Sequence, residues 1–233
     1  MSTHIVAVSI NKGGVGKTML TKSLATAAAA AGLAVLILDM DTQQNSDSWG
    51  KRRKNFWPDK PLPVVQFVTE NDLPEALARA RAADCDLVLI DTPPGRSTEA
   101  PAAVEAAHHV LIPFITDTDT FDGLKKTAAL ARRLGTPATG VLNLAQPHSR
   151  SEEDTAREVL AESDVPMCPV IIHRYTAHKM ASVAGLTVNE AEPDSTPGSE
   201  ITALWNWLSA ELHMGTSAPV HNSKKTQLHK GAA

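Results

Sequence analysis

The string Ile10-Asn11-Lys12-Gly13-Gly14-Val15-Gly16-Lys17-Thr18 carries the most specific chemistry in this chain. Its glycines let successive backbone N–H groups turn inward around an anion, and a helix starting near Gly16 aims its positive end at the same point. Lys17 is spaced to reach the β and γ oxygens of a nucleoside triphosphate, and the Thr18 hydroxyl is placed to ligate Mg²⁺. The standard phosphate-loop string has glycine where this chain has Asn11, a residue that tolerates left-handed backbone. Immediately before Gly13, Lys12 adds a second cation to the loop. Three carboxylates accompany it. Asp39 and Asp41 follow the apolar run ending at Leu38, and Asp91 follows the run ending at Ile90. Strand ends are where α/β proteins place ligand groups, and an aspartate at such an end can hold a water on Mg²⁺ as a Walker B acid does.

Something must bring these pieces together. Apolar runs rich in β-branched residues begin at Ile5, Leu33, Val64, Leu87, Val110, Gly140 and Pro169. They are continuous rather than alternating, which suits strands covered on both faces. Between them lie helical patterns: one from Met19 that ends at Gly32, one from Asp72, and one from Ser151 with a Ser151/Asp154 capping-box spacing. Strand and helix in alternation predict an α/β fold, a mostly parallel twisted sheet of about seven strands with helices on both faces, and the phosphate loop after its first strand makes the expectation a P-loop NTPase fold. Residues 1–213 are expected to form that one domain, closing with a helix that contains Trp205 and Trp207. Residues 214–233 are polar, small and aperiodic and are expected to be a disordered basic tail bearing Lys224, Lys225 and Lys230. A second basic cluster, Lys51 to Lys54, precedes a proline-rich connection at Pro58, Pro61 and Pro63.

Composition removes several classes. At 233 residues and 42 % apolar content the chain can bury a core, which excludes disorder and stapled mini-proteins. A balance of 22 basic and 26 acidic residues, net −4, leaves room only for local basic patches on a nucleic-acid binder. Cys85 and Cys168 lie far apart with no CxxC spacing, so neither a zinc ribbon nor an iron–sulfur bridge is supplied within one chain. No stretch approaches the roughly 18 consecutive apolar residues of a membrane span. The start Met1-Ser2-Thr3-His4 lacks the marks of a secretory signal, and the expected location is cytoplasmic.

With Lys12 ahead of Gly13, the phosphate loop reads KGGVGKT and resembles that of the deviant Walker ATPases of the ParA/MinD group. The likeness extends to Asp39-Met40-Asp41-Thr42-Gln43, similar to that family's DxDxQ segment, and to Asp91-Thr92-Pro93-Pro94, similar to its proline-containing switch. By that resemblance Lys12 crosses a dimer interface to the partner's phosphates, Asp41 orients the attacking water, and Asp39 supports the metal and phosphate network. Catalysis is then assigned to Lys12, Lys17 and Asp41, and Mg²⁺ to Thr18, Asp41 and Asp91. The nucleotide is expected on Lys12, Gly13, Gly14, Val15, Gly16, Lys17, Thr18, Met19 and Asp39, with Asn143 and Arg174 beside the base. An amide such as that of Asn143 can both donate to and accept from an adenine edge. The chain departs from the pattern at Thr42, where the family has proline, at Gln44, where it often has glycine, and at His173, where it has proline.

Within the family the chain most resembles the short, Type Ib-like (ParF-like) plasmid partition ParA proteins. With the first strand expected from Ile5, a helix-turn-helix extension ahead of it is not expected, unlike in the larger ParA regulators that read operator DNA. The terminal segment offers essentially Leu228 alone as an apolar anchor, which disfavours membrane cycling. The implied function is a partition or positioning ATPase that dimerises on ATP with Mg²⁺. It binds DNA without sequence preference and hydrolyses ATP when stimulated by a ParB-like centromere-binding or adaptor protein. It would be nucleoid-associated when ATP-bound. Two subunits bring two modest basic patches together, and affinity for phosphates rises steeply with the number neutralised. Arg174, Lys179, the tail lysines and the Lys51 to Lys54 run are the charged candidates for DNA or partner contact. Two alternatives stand: positioning of a protein cargo such as a carboxysome, chemoreceptor cluster or conjugation complex, and a metabolic ATP-dependent enzyme of the dethiobiotin-synthetase type, which leaves Lys12 without a role.

Overall fold

The computed structural model describes residues 2–60, 62–95 and 98–214. The basic tail expected over 214–233 therefore lies, from 215 onward, outside the described residues. Strands β1 (His4–Val8), β2 (Val35–Asp39), β3 (Val64–Phe67), β4 (Leu87–Asp91), β5 (His109–Phe114) and β6 (Ala138–Leu142) form one sheet in the order β3-β2-β4-β1-β5-β6. Every pairing is parallel. The helices are α1 (Lys17–Ala30), α2 (Asn45–Phe56), α3 (Leu73–Ala82), α4 (Glu99–Ala106), α5 (Thr118–Leu134), α6 (Arg150–Glu162), α7 (Thr176–Val183), α8 (Val188–Ala191) and α9 (Thr196–Glu211).

The continuous apolar strands are explained by two cores. In β1, Ile5 and Ala7 face one cluster with Leu73, Val104, Leu124 and Leu160 from α3 to α6. Val6 and Val8 face the other, with Leu20, Trp49, Val188 and Leu204 from α1, α2, α8 and α9. Neither face of the central strands meets water, so neither needs a polar side chain.

Six strands are found among the described residues where about seven were expected. The run from Pro169 approaches β6 but makes only isolated bridges, Gly140 to Met167 and Ala145 to His173. Cys168 N–H donates to the Gly140 carbonyl at 2.8 Å and Ile172 N–H to the Leu142 carbonyl at 3.0 Å. Between them Pro169 has no N–H, and the Val170 N–H faces Cys168 Sγ at 3.4 Å, so the ladder is interrupted. α6 also differs from its expected start. Ser149 is the residue flanking the helix, and Ser151 lies inside the first turn, so no Ser151/Asp154 capping box forms.

The Lys51 to Lys54 run lies on α2, ahead of the proline-rich connection. Arg53 within it is buried, and its guanidinium grips Glu190 through two hydrogen bonds at 2.8 and 2.7 Å. This ion pair ties α2 to α8, so Arg53 has no part in an external contact. Among the described residues no helix is long and apolar enough to cross a membrane.

Candidate phosphate and metal site

Register places the site. Asp91 is level with Val8 on one side and with Asp39 on the other, so the end of β4 stands between the start of the glycine loop and the loop that leads into α2. Gly14 (φ 79°) and Gly16 (φ 86°) take left-handed backbone, a conformation that side chains other than glycine adopt at a cost. Asn11 does not take positive φ, so the position where the usual string has glycine requires none here. Instead, Gly123 on α5 supplies the space: a Cβ there would lie 3.3 Å from Ile10 and 3.4 Å from the Asn11 carbonyl.

Lys17 is buried and folds over the loop, donating to the carbonyls of Lys12 at 2.8 Å and Ile10 at 3.4 Å. Burial lowers its pKa, against the opposing pull of Asp91 and Asp41. Lys12 is the more exposed of the two, and its Nζ meets Asp119 Oδ2 at 2.8 Å at the start of α5. In the single chain the second lysine is therefore held by an aspartate of its own subunit.

The three carboxylates have separate surroundings. Asp39 accepts backbone N–H groups from Asp41 at 3.1 Å, Ser46 at 2.9 Å and Asp47 at 3.0 Å. Both of its oxygens serve the turn into α2, so it shapes the loop. Asp41 accepts the Gln43 N–H at 2.9 Å and lies at the rim of the cleft above the loop. Asp91 is fully buried, and Oδ2 accepts the Ser46 hydroxyl at 2.8 Å. Burial, then the neighbouring Asp39 charge, pushes its carboxyl up to about 6, against the Ser46 and Thr18 hydroxyls and the Lys22 charge. Asp91 Oδ1 has no hydrogen-bond partner among the described residues. An orphaned carboxylate oxygen beside the Thr18 hydroxyl, below a cradle of N–H groups, fits the hydrated shell of Mg²⁺.

Above the loop opens a cleft of about 980 Å³, walled by Gly13, Gly14, Gly16, Lys17, Thr18, Met19 and Asp41 at one end. Leu144 and Tyr175 join the wall, whereas the exposed Arg174 does not. Asn143 is buried against the loop, where its amide donates to the Val15 carbonyl at 2.7 Å and leaves Oδ1 unpartnered. His173 replaces the expected proline by a different restraint: Glu200 accepts its backbone N–H at 2.9 Å and pairs with Nδ1 at 2.7 Å.

Several of these residues escaped sequence reasoning. Ser46 links Asp39 to Asp91, and its only sequence signal is its place near a helix start. Gly123, Asp119, Leu144 and Tyr175 carry no local signature, because each matters only through a neighbour distant in sequence.

A glycine loop between a central parallel strand and a helix, with aspartates at the ends of the next two strands on one side, β4 and β2, defines a P-loop nucleotide-binding protein. The profile of the CobQ/CobB/MinD/ParA nucleotide binding domain matches residues 6–188. The chain belongs to that family. It is 33% identical over 191 residues to the maintenance of carboxysome distribution protein A of Gloeobacter kilaueensis, covering 79% of this chain and 83% of that protein. It is 27% identical to the cell division protein PomZ of Myxococcus xanthus, covering 93% and 80% of the two chains. Among solved structures, the septum site-determining protein MinD of Pyrococcus horikoshii, complexed with Mg-ADP, superposes with a TM-score of 0.72 at 19% identity, covering 91% of this chain and 98% of that one.

Proposed function

We propose that this chain is a nucleotide-gated positioning ATPase that closes as a homodimer on ATP and Mg²⁺. Bound in the loop, Mg²⁺ supplies charge neutralisation for the phosphates, and Thr18, Asp41 and Asp91 would hold it and its waters. Lys17 would swing from the Lys12 and Ile10 carbonyls onto the phosphate oxygens. Asp41 would orient the attacking water, and the base would lie against Leu144 and Tyr175 of the cleft wall, with Asn143 bracing the loop through Val15 and Arg174 outside the wall. Hydrolysis to ADP and phosphate is slow by itself, because positioning and charge neutralisation do most of the chemistry and a partner must complete them. The observation that carries this reading is Lys12, a second loop cation set just ahead of Gly13, beside a loop already served by Lys17.

In this reading the ATP dimer holds DNA without sequence preference and a ParB-like protein releases it, as in a short plasmid partition protein. Lys51 and Lys54 are exposed on α2 and remain charged candidates for that contact. A second reading, positioning of a protein body, is supported by the relative named for carboxysome distribution. Co-sedimentation with DNA in ATP, ADP or no nucleotide tests both. The chain should pellet with DNA in ATP alone, and Asp41→Ala should stay bound while Lys17→Ala should not bind nucleotide. Equal pelleting in all three states would remove the nucleotide gate. Hydrolysis stimulated by a small metabolite and indifferent to DNA would favour a metabolic enzyme.

A further inference from the structure

The cleft does not end at the phosphate loop. Beyond Thr18 it continues between α1, α2 and α7 into a lobe walled by Lys22, Ser23, Arg52, His178 and Lys179. Lys22 is only 7% exposed, and its ammonium has no hydrogen-bond partner among the described residues. It lies over the Trp49 ring at 5.7 Å, with Arg52 near enough for the two charges to repel. Arg52 Nε and both ring nitrogens of His178 are buried without hydrogen-bond partners among the described residues. Asp41 is the only carboxylate among the described residues that line the cleft. Asp39 and Asp91 lie behind the wall and offset part of the Lys22 charge.

Buried donors without acceptors are costly, and a cationic wall gathers anions. We propose that this lobe is a second anion site, which takes the phosphoryl group of a small molecule while the phosphate loop is occupied. Lys22 and the Arg52 fork provide charge-assisted donors, and the Ser23 hydroxyl, whose one contact is the Met19 sulfur at 3.8 Å, provides a neutral one. An ammonium on α1 and a guanidinium on α2 can each take a different terminal oxygen of one phosphate. Val183, Leu186 and Val188 continue the wall and would seat the organic part of a phosphate ester.

The test is calorimetric titration of inorganic pyrophosphate into the full chain already saturated with Mg-ADP. A second one-to-one event is expected, weakened about tenfold or more by Lys22→Met and by Arg52→Gln. Nucleoside monophosphate in place of pyrophosphate separates the two sources: tighter binding points to a phosphate ester, equal or weaker binding to the inorganic anion. The site is refuted if pyrophosphate only displaces ADP, if no second event occurs, or if both variants bind as the parent does. Arg52→Gln lies on a half-exposed wall and keeps the test open should the buried Lys22 substitution unfold the chain. The inference uses the nucleotide reading only to fill the loop. A chain that takes up no ADP fails that reading, and pyrophosphate added to Lys17→Ala then tests the lobe by itself.

Discussion

At the scale of single residues, Asp91 faces the strongest conflict between burial and charge. Burial and the neighbouring Asp39 charge push its carboxyl up to about 6, above the ordinary carboxylate range. A raised acid pKa means that the ionised form burdens the fold. The burden is absent below about pH 4, grows toward pH 6 and is complete above it. Asp91→Asn should therefore raise the Tm of the metal-free chain by several degrees at pH 7.5. That gain should shrink as the pH falls toward 4, and the same variant should lose Mg²⁺-dependent nucleotide binding. A variant no more stable than the parent at pH 7.5 would show that Ser46, Thr18 and Lys22 already offset the burial.

Among the elements, the loop from β2 to α2 carries a visible strain. Gln44 caps α2 with φ 51°, in the left-handed region that glycine enters without a steric penalty. Asp39 overcomes the preference by binding the N–H groups of Ser46 and Asp47, which fixes the first turn of the helix. A non-glycine residue in this region costs about 1–2 kcal/mol, part of which glycine gives back as unfolded-chain entropy. Gln44→Gly should stabilise the chain by about 1 kcal/mol, measured by denaturant unfolding with an unchanged m-value. A loss of stability would mean that the Gln44 side chain contributes more than its backbone costs.

For the whole molecule, the position of Lys12 decides between a nucleotide binder and a nucleotide-gated dimer. Its amine is held by Asp119 in the single chain and would have to leave that partner to reach a second subunit. Lys12→Ala should weaken ATP-dependent dimerisation in sedimentation velocity while leaving monomeric nucleotide binding in place. Asp119→Asn should change dimerisation by less than about fivefold, since exposed ion pairs contribute little in water. Sedimentation of Lys12→Ala identical to the parent in ATP would argue against a lysine exchanged between subunits.

Local pattern alone was enough for the glycine loop, the aspartates at and just beyond the strand ends, and the alternation of strand and helix. Each rests on residues close in sequence: Lys17 follows Gly16 because the loop and helix are one turn, and apolar runs mark strands buried on both faces. Long-range packing determined the rest. Pro169 interrupted a seventh strand, Arg53 turned inward to Glu190, and Asp39 served backbone N–H groups. Ser46, Asp119, Gly123 and Lys22 acquired their surroundings only when distant elements met. Burial, desolvation and hydrogen-bond partnership are properties of those meetings, so the loop was legible in one segment of sequence, whereas the cleft above it required the folded chain.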